Sequence, residues 1–173
     1  MVFDADSVAR ELLERDPAVQ SEVVEVFGEA ILNDKGQIDR GKLREVVFHN
    51  EEQRRQLEGI LHPRIRQCWT EQALIARRSP EWFVVDIPLL FETGVENAFD
   101  VIAVVACSSA TQRSRLVSER KLSVEMAERI VASQLSLTSK VARSGYVIWS
   151  DAPVKCLEQQ AELFAGQLRQ CYG

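Results

Sequence analysis

Residues 82–92 read WFVVDIPLLFE, an apolar run interrupted by one carboxylate, Asp86, and closed by Pro88. An apolar run of this length, ended by a turn former, fits a strand buried on both faces of a parallel sheet. Pro88 has no N–H to give to a ladder, so the strand stops before it. Asp86 then falls near the strand's carboxyl end, where open α/β sheets bind their ligands. An ionised carboxylate among Val85, Ile87 and Leu89 costs several kcal/mol unless a cation, a water or a donor reaches it. Asp86 therefore either points into a site or is a structural carboxylate satisfied by a nearby backbone group.

Two more apolar runs, VIAVVAC at 101–107 and YVIW at 146–149, read as further strands. Val2 and Phe3, leading into Asp4, Ala5 and Asp6, read as the tail of another. A strand takes about five or six residues, so a chain that opens in mid-strand implies a domain that starts upstream of Met1. Asp4 and Asp6 are either caps of the helix that follows or a carboxylate pair at a strand's carboxyl end, suited to general-base work or to contact with metal-bound water.

Between these strands, residues 7–78 are almost wholly helical by pattern. Val8, Leu12 and Leu13 recur at helical spacing, and Asp16 with Pro17 marks a second helix start. Val19, Val23, Val26, Phe27 and Ile31 are expected on one face, and residues 33–36 (NDKG) in a turn. Another helix spans 41–48, and Asn50 caps the next, with Leu57, Ile60 and Leu61 as its apolar positions. His62 and Pro63 predict a break, because the residue before a proline is pushed out of the helical region. A further helix over 64–77 is expected to end before Ser79 and Pro80. This stretch is an insertion far longer than the ~12 residues of a minimal βαβ crossover.

The 173 residues are 46% hydrophobic and 27% charged, which fits one ordinary soluble domain. A net charge of −5 argues against a general nucleic-acid or membrane-surface binder. Neither a membrane span nor a signal peptide is expected from the apolar patterning, and the expected location is the cytoplasm. Cys68, Cys107, Cys156 and Cys171 are widely spaced, with only His49 and His62 as further soft ligands. That spacing predicts buried reduced thiols rather than a zinc or disulfide framework.

Between Arg113 and Arg143 the charge balance reverses: Arg113, Arg115, Arg120, Lys121, Arg129, Lys140 and Arg143 stand against Glu119, Glu125 and Glu128. The run is either a solvated helical face or an anion-binding lid. Leu116, Leu122, Met126, Ile130 and Val131 keep it folded, and it directly follows a strand. Asp151 and Pro153 open a final amphipathic helix through Leu157, Leu163, Phe164 and Leu168. Strands separated by helices give the class α/β, a parallel sheet covered by helices, with a helical insertion and a basic helical lid.

In this order and spacing, FDADSVAR at 3–10, LHPRIR at 61–66, DIPLLFETG at 86–94, VVAC and TQRSRL within 104–116, LSVEMAERIVASQ at 122–134 and Lys140 before a strand resemble the dephospho-coenzyme A kinase family. The resemblance covers almost the whole chain. It implies a single P-loop kinase-like domain over 1–173, with a substrate-binding helical insertion at 7–78 and a lid at 113–143. It implies ATP-dependent phosphorylation of the ribose 3′-hydroxyl of dephospho-coenzyme A, with Mg2+, as the last step of coenzyme A biosynthesis. Asp6 matches the carboxylate that accepts the hydroxyl proton, with Asp4 assisting it or holding the loop. A base there needs only to orient the hydroxyl, since phosphoryl transfer is mostly positioning and charge stabilisation. His62, Arg64 and Glu92 match positions that line or support the dephospho-coenzyme A cleft, although His62 equally fits a core residue. Arg115, Arg129 and Lys140 match lid positions that close over ATP phosphates. Asp86 becomes a contact to Mg2+ through water. No partner other than dephospho-coenzyme A and ATP, and no nucleic acid or membrane, is implied.

The chain departs from the family pattern twice. The family opens with a strand and a loop of the form G-x-x-x-x-G-K-[ST], whose amides, lysine and hydroxyl hold phosphate and magnesium. None of the eight glycines here opens such a motif. The expected fold is therefore incomplete, lacking the central first strand between those at 83–87 and 101–107. The family's last strand reads A-D-x-V-I, then a polar residue and Asn, where this chain has Ser144, Gly145, Tyr146, Val147, Ile148, Trp149 and Ser150. The departures leave two readings: a kinase whose sequence here starts late and is inactive without its P-loop, or a non-catalytic relative that binds a coenzyme A-like ligand or a partner protein. A different nucleotide kinase of the P-loop class fits the LHP and PLLFE pieces poorly.

Overall fold

The computed structural model describes residues 1–79 and 81–172, the His49 side chain excepted. The chain divides into two compact units, Met1–Pro88 and Leu89–Gly173. Pro80 lies outside the described residues.

The first unit opens with strand β1 (Val2–Asp4) and runs through helices α1 (Ala5–Arg15), α2 (Pro17–Phe27), α3 (Arg40–His49) and α4 (Glu51–Ala76) to strand β2 (Val84–Asp86). Each helix begins on a side chain that accepts orphan amide hydrogens: Asp4 caps α1, Asp16 α2, Asp39 α3 and Asn50 α4. Leu13, Val19, Val23, Ile31, Leu43, Ile60 and Leu61 form one buried core between the helices. Ile31 reaches that core from a short 3₁₀ turn rather than from α2, because Gly28 ends α2 with φ +75°, a conformation that only glycine adopts at no steric cost. Val26, expected on the core face, is exposed instead.

The predicted break at His62–Pro63 does not occur. Helix α4 runs through both residues, with Pro63 in its interior. Proline there removes one donor and crowds the carbonyl four residues back, which belongs to Gly59. Burial of Ile60, Leu61 and Trp69 on either side of the proline opposes that cost, and the Arg64 guanidinium donates to the Ile60 carbonyl at 2.7 Å. Tertiary packing overrides the local preference.

β1 and β2 pair in parallel, with Phe3 opposite Val85 and Asp4 opposite Asp86. The N-terminal ammonium donates to the Trp82 carbonyl at 2.9 Å. The expectation that the strand at 82–86 is buried on both faces is corrected. Only three of its residues are strand, Val84 is 51% exposed, and Asp86 is exposed too. β1 is its only strand partner among the described residues.

The second unit holds strand β3 (Ala103–Ala106), helix α5 (Ser109–Ser114), a π-type turn at Arg115–Glu119, helices α6 (Val124–Ala132) and α7 (Leu137–Arg143), strand β4 (Tyr146–Trp149) and helix α8 (Val154–Tyr172). β3 and β4 pair in parallel, Ala103 opposite Tyr146. The described strands thus form two two-stranded parallel sheets, where one helix-covered sheet was expected. The other edge of β4 is closed by a side chain: Gln160 of α8 accepts from the Trp149 N–H and donates to the Trp149 carbonyl, both at 2.9 Å. Leu163, expected on the packed face of α8, is 70% exposed. Cys156 and Cys171 are exposed as well, against the expectation of buried thiols. No described helix is long and apolar enough to cross a membrane.

Candidate active site

Parallel pairing of β1 with β2 aligns Asp4 with Asp86 at the carboxyl ends of both strands, and Asp6 follows in the first turn of α1. The three carboxylates do not share one environment. Asp4 accepts from the Ser7 N–H at 3.0 Å and from the Ser7 hydroxyl at 2.8 Å. Those bonds, the backbone one foremost, hold its carboxyl below the ordinary carboxylate range. Asp4 is thus the helix cap, and Asp6 lies in the first turn of α1. Asp86 shows the opposite behaviour: partial burial, then the negative charges of Asp4 and Asp6, push its carboxyl up. Among the described residues no positive charge offsets Asp86, while Arg10 acts on Asp4.

That imbalance is the test of whether a divalent cation fits. No three His, Cys, Asp or Glu side chains among the described residues converge as a direct metal cage. The surplus negative charge suits a hydrated cation held through water, the kind of contact Mg2+ favours because it dehydrates reluctantly.

On α4, Arg64 is committed to structure on one side. Its guanidinium reaches Glu22 of α2 at 2.5 Å as well as the Ile60 carbonyl, so it braces α2 against α4. His62, two residues earlier, is half-buried.

Residues 88–94 form a tight turn. The Thr93 hydroxyl donates to the Leu89 and Leu90 carbonyls at 2.9 and 3.0 Å, and Gly94 takes φ +67° to let the chain out. This turn presents Glu92 to α7. Lys140 meets Glu92 at 2.9 Å, with both side chains largely buried, and also donates to Gln134 at 3.1 Å. The Leu135 N–H donates to the same Glu92 oxygen at 2.9 Å. Burial works against the Glu92 charge, but the Lys140 and Leu135 donors outweigh it and hold the carboxyl below its ordinary range. The sequence placed Glu92 at the substrate cleft and Lys140 in the lid; the structure joins them as a pair.

Arg115, the first residue of the π-type turn, donates to the Ser150 hydroxyl at 3.0 Å and to the Ser150 carbonyl at 2.6 Å. Asp151 accepts from the Ser108 N–H at 2.9 Å and from its hydroxyl at 3.2 Å, tying the end of β4 to the start of α5. Asp151 was expected to open α8 together with Pro153; the helix begins at Val154, directly after Pro153, while the Asp151 carboxylate is turned to Ser108. Arg129 is exposed on α6.

Sequence reasoning passed over Phe91, Glu96 and Ser150. Arg143 pairs with Glu96 and lies over the Phe91 ring at 4.7 Å from its centroid. One signal was available: Glu92 and Glu96 stand four apart, Lys140 and Arg143 three apart, the spacings at which helical and turn-borne charges line up.

The family description "Dephospho-CoA kinase" matches residues 1–155. A dephospho-CoA kinase of Fusobacterium nucleatum is 36% identical over 163 residues, 94% of this chain and 83% of the relative. A crystal structure from Thermus thermophilus aligns with TM-score 0.74 at 27% identity, covering 96% of this chain and 84% of that one. The dephospho-CoA kinase structure from Campylobacter jejuni aligns with TM-score 0.66 at 26% identity, covering 95% and 83%. With two parallel strand pairs, a helical segment between the first pair and the PLLFE turn matched together, the chain belongs to the dephospho-CoA kinase family.

Proposed function

We propose how this chain divides the labour of the family's reaction, the phosphorylation of dephospho-CoA that completes coenzyme A biosynthesis. Asp6 orients the ribose 3′-hydroxyl and accepts its proton, while Asp4 fixes the loop from which Asp6 projects. The observation that carries this assignment is the saturation of Asp4 by Ser7. A carboxylate whose two oxygens each already accept a hydrogen bond from Ser7 is a poorer base, and Asp6, two residues on, carries no such load among the described residues.

ATP is the phosphoryl donor that a kinase family implies. Mg2+, when bound, would neutralise phosphate charge; Asp86 would touch it through water. Arg129 and Lys140 would reach the phosphates from the basic segment at 113–143. Arg115, bound to Ser150, would set the loop that follows β4. Arg64 and His62 would shape the dephospho-CoA cleft within the insertion at 7–78, with Glu92 acting through Lys140. The reading places the protein in the cytoplasm, with no nucleic acid or membrane among its partners.

No G-x-x-x-x-G-K-[ST] loop occurs in the 173 residues. The polypeptide alone is therefore expected to turn over little or no substrate, since loss of even one oxyanion-type donor costs roughly 10² to 10³ in rate.

The test compares the 173-residue chain with the same chain fused behind a strand and a loop of the G-x-x-x-x-G-K-[ST] form, supplying ATP, Mg2+ and dephospho-CoA and measuring coenzyme A by mass spectrometry. The expected result is product from the fusion alone. Turnover by the unfused chain at an ordinary kinase rate contradicts the need for the loop. Failure of a folded fusion that still binds dephospho-CoA favours a non-catalytic relative that holds a coenzyme A-like ligand.

A further inference from the structure

Helix α7 has only seven residues, too few to be stable on its own propensity. Its position depends on what holds its side chains. Two of them, Lys140 and Arg143, stand three apart on one face, and they meet two carboxylates four apart, Glu92 and Glu96. The two pairs run side by side but are built differently. The Lys140–Glu92 pair joins a compact ammonium on a flexible stem to a carboxylate, a contact that fixes distance but little orientation. The Arg143–Glu96 pair adds a planar guanidinium laid over the Phe91 ring, and that ring is itself only 6% exposed. Arg143 is the last residue of α7, where a cation also suits the helix's negative end.

In both carboxylates the second oxygen is shut away from solvent with no donor. Each carboxylate is thus held through a single oxygen, shared in Glu92 between Lys140 and the Leu135 N–H.

We propose that Phe91, Glu96 and Arg143 are positioning residues, a clamp that sets α7 so that the Lys140 ammonium rests on Glu92. Its consequence for catalysis rests on the reading of Lys140 as a phosphate contact. The clamp keeps α7 in place while Lys140 exchanges Glu92 for an anionic oxygen, so that the lysine starts from one defined place.

The clamp is tested on the 173-residue chain by NMR of 15N-labelled lysine ammonium groups, with Lys140→Met assigning the signal. In the unaltered chain Lys140 is expected to give a slowly exchanging signal apart from the exposed lysines. In Glu96→Gln and in Arg143→Met the signal should join those lysines, with water exchange about tenfold faster or more. Arg143→Lys should not restore it, because lysine cannot both pair and lie flat on Phe91. Arg113→Met, which breaks the exposed pair with Glu128, should leave it alone. A Lys140 signal unchanged in folded Glu96→Gln and Arg143→Met overturns the proposal. Should either variant fail to fold, Phe91→Leu removes the ring while keeping apolar bulk, and an unaltered signal there has the same force. Adding inorganic tripolyphosphate separates the two readings: displacement of Lys140 from Glu92 supports the phosphate role, and no displacement removes that role while the clamp stands on the variants.

Discussion

Asp86 and Glu92 are six residues apart in one motif, yet they carry opposite electrostatics. Asp86 ends β2 opposite Asp4, with Asp6 close by, and its carboxyl is pushed up by burial and by those two charges. Glu92 is at least as enclosed, but Lys140 and the Leu135 N–H hold its carboxyl down. The same chemical group is left short of positive charge in one place and supplied with it in the other. Under the function proposed above, a hydrated cation would relieve the repulsion that Asp4 and Asp6 exert on Asp86. The Glu92–Lys140 pair has the character of a brace.

The largest effect expected from breaking this comparison lies at Asp6. In a kinase-active fusion, Asp6→Asn should lower kcat by about 10² to 10⁴ with ATP affinity unchanged, the range of a lost general base. A steady-state assay showing unaltered kcat would remove Asp6 from that role. Next comes Lys140→Met, which strands the Glu92 carboxylate in a largely buried position. Urea unfolding should show a loss of about 2 kcal/mol, at the mild end for a broken buried pair because both side chains keep some contact with water. A loss indistinguishable from zero would make the pair a surface contact.

The smallest effect concerns pH, and the two carboxylates pull in opposite directions. Glu92, lowered in the fold, contributes stability that is present above its unfolded value and disappears as pH falls through the folded one. Asp86, raised in the fold, penalises the folded state when ionised, and that penalty lifts as pH falls through its raised value. Glu92→Gln should therefore flatten the acid loss of stability, and Asp86→Asn should remove the gain that precedes it. Thermal midpoints of the three proteins across the acid range check the signs; equal slopes in all three would contradict both.

The sequence made the strands legible because their apolar runs are short and dense: Val84–Asp86, Ala103–Ala106 and Tyr146–Trp149 all fall within the predicted stretches. Caps were legible for the same local reason, as at Asp16 and Asn50. Pro63 misled because the rule against it is local, whereas the burial of Ile60, Leu61 and Trp69 that carries α4 through it is not. The double-sided burial expected of residues 82–86 failed because an apolar pattern records what a strand is suited to meet, not what stands against it.

At the site, residue types were readable and commitments were not. Residue type alone did not separate Asp4 from Asp6; the resemblance did, and the Ser7 bonds to Asp4 were not legible in advance. The tie of Arg115 to Ser150, 35 residues away, could not be read from its residue type. Glu92 and Lys140 were placed in different parts of the site because no local rule couples residues so far apart in the chain.

The most direct test of this contrast is a carbon-detected NMR titration of the Asp86 and Glu92 carboxyls, run with and without Mg2+. The account predicts that Asp86 titrates above the ordinary aspartate value and moves down when Mg2+ is added, while Glu92 titrates below the ordinary glutamate value and ignores the metal. An Asp86 that titrates at or below the ordinary value without Mg2+, or that Mg2+ leaves unmoved, would contradict it.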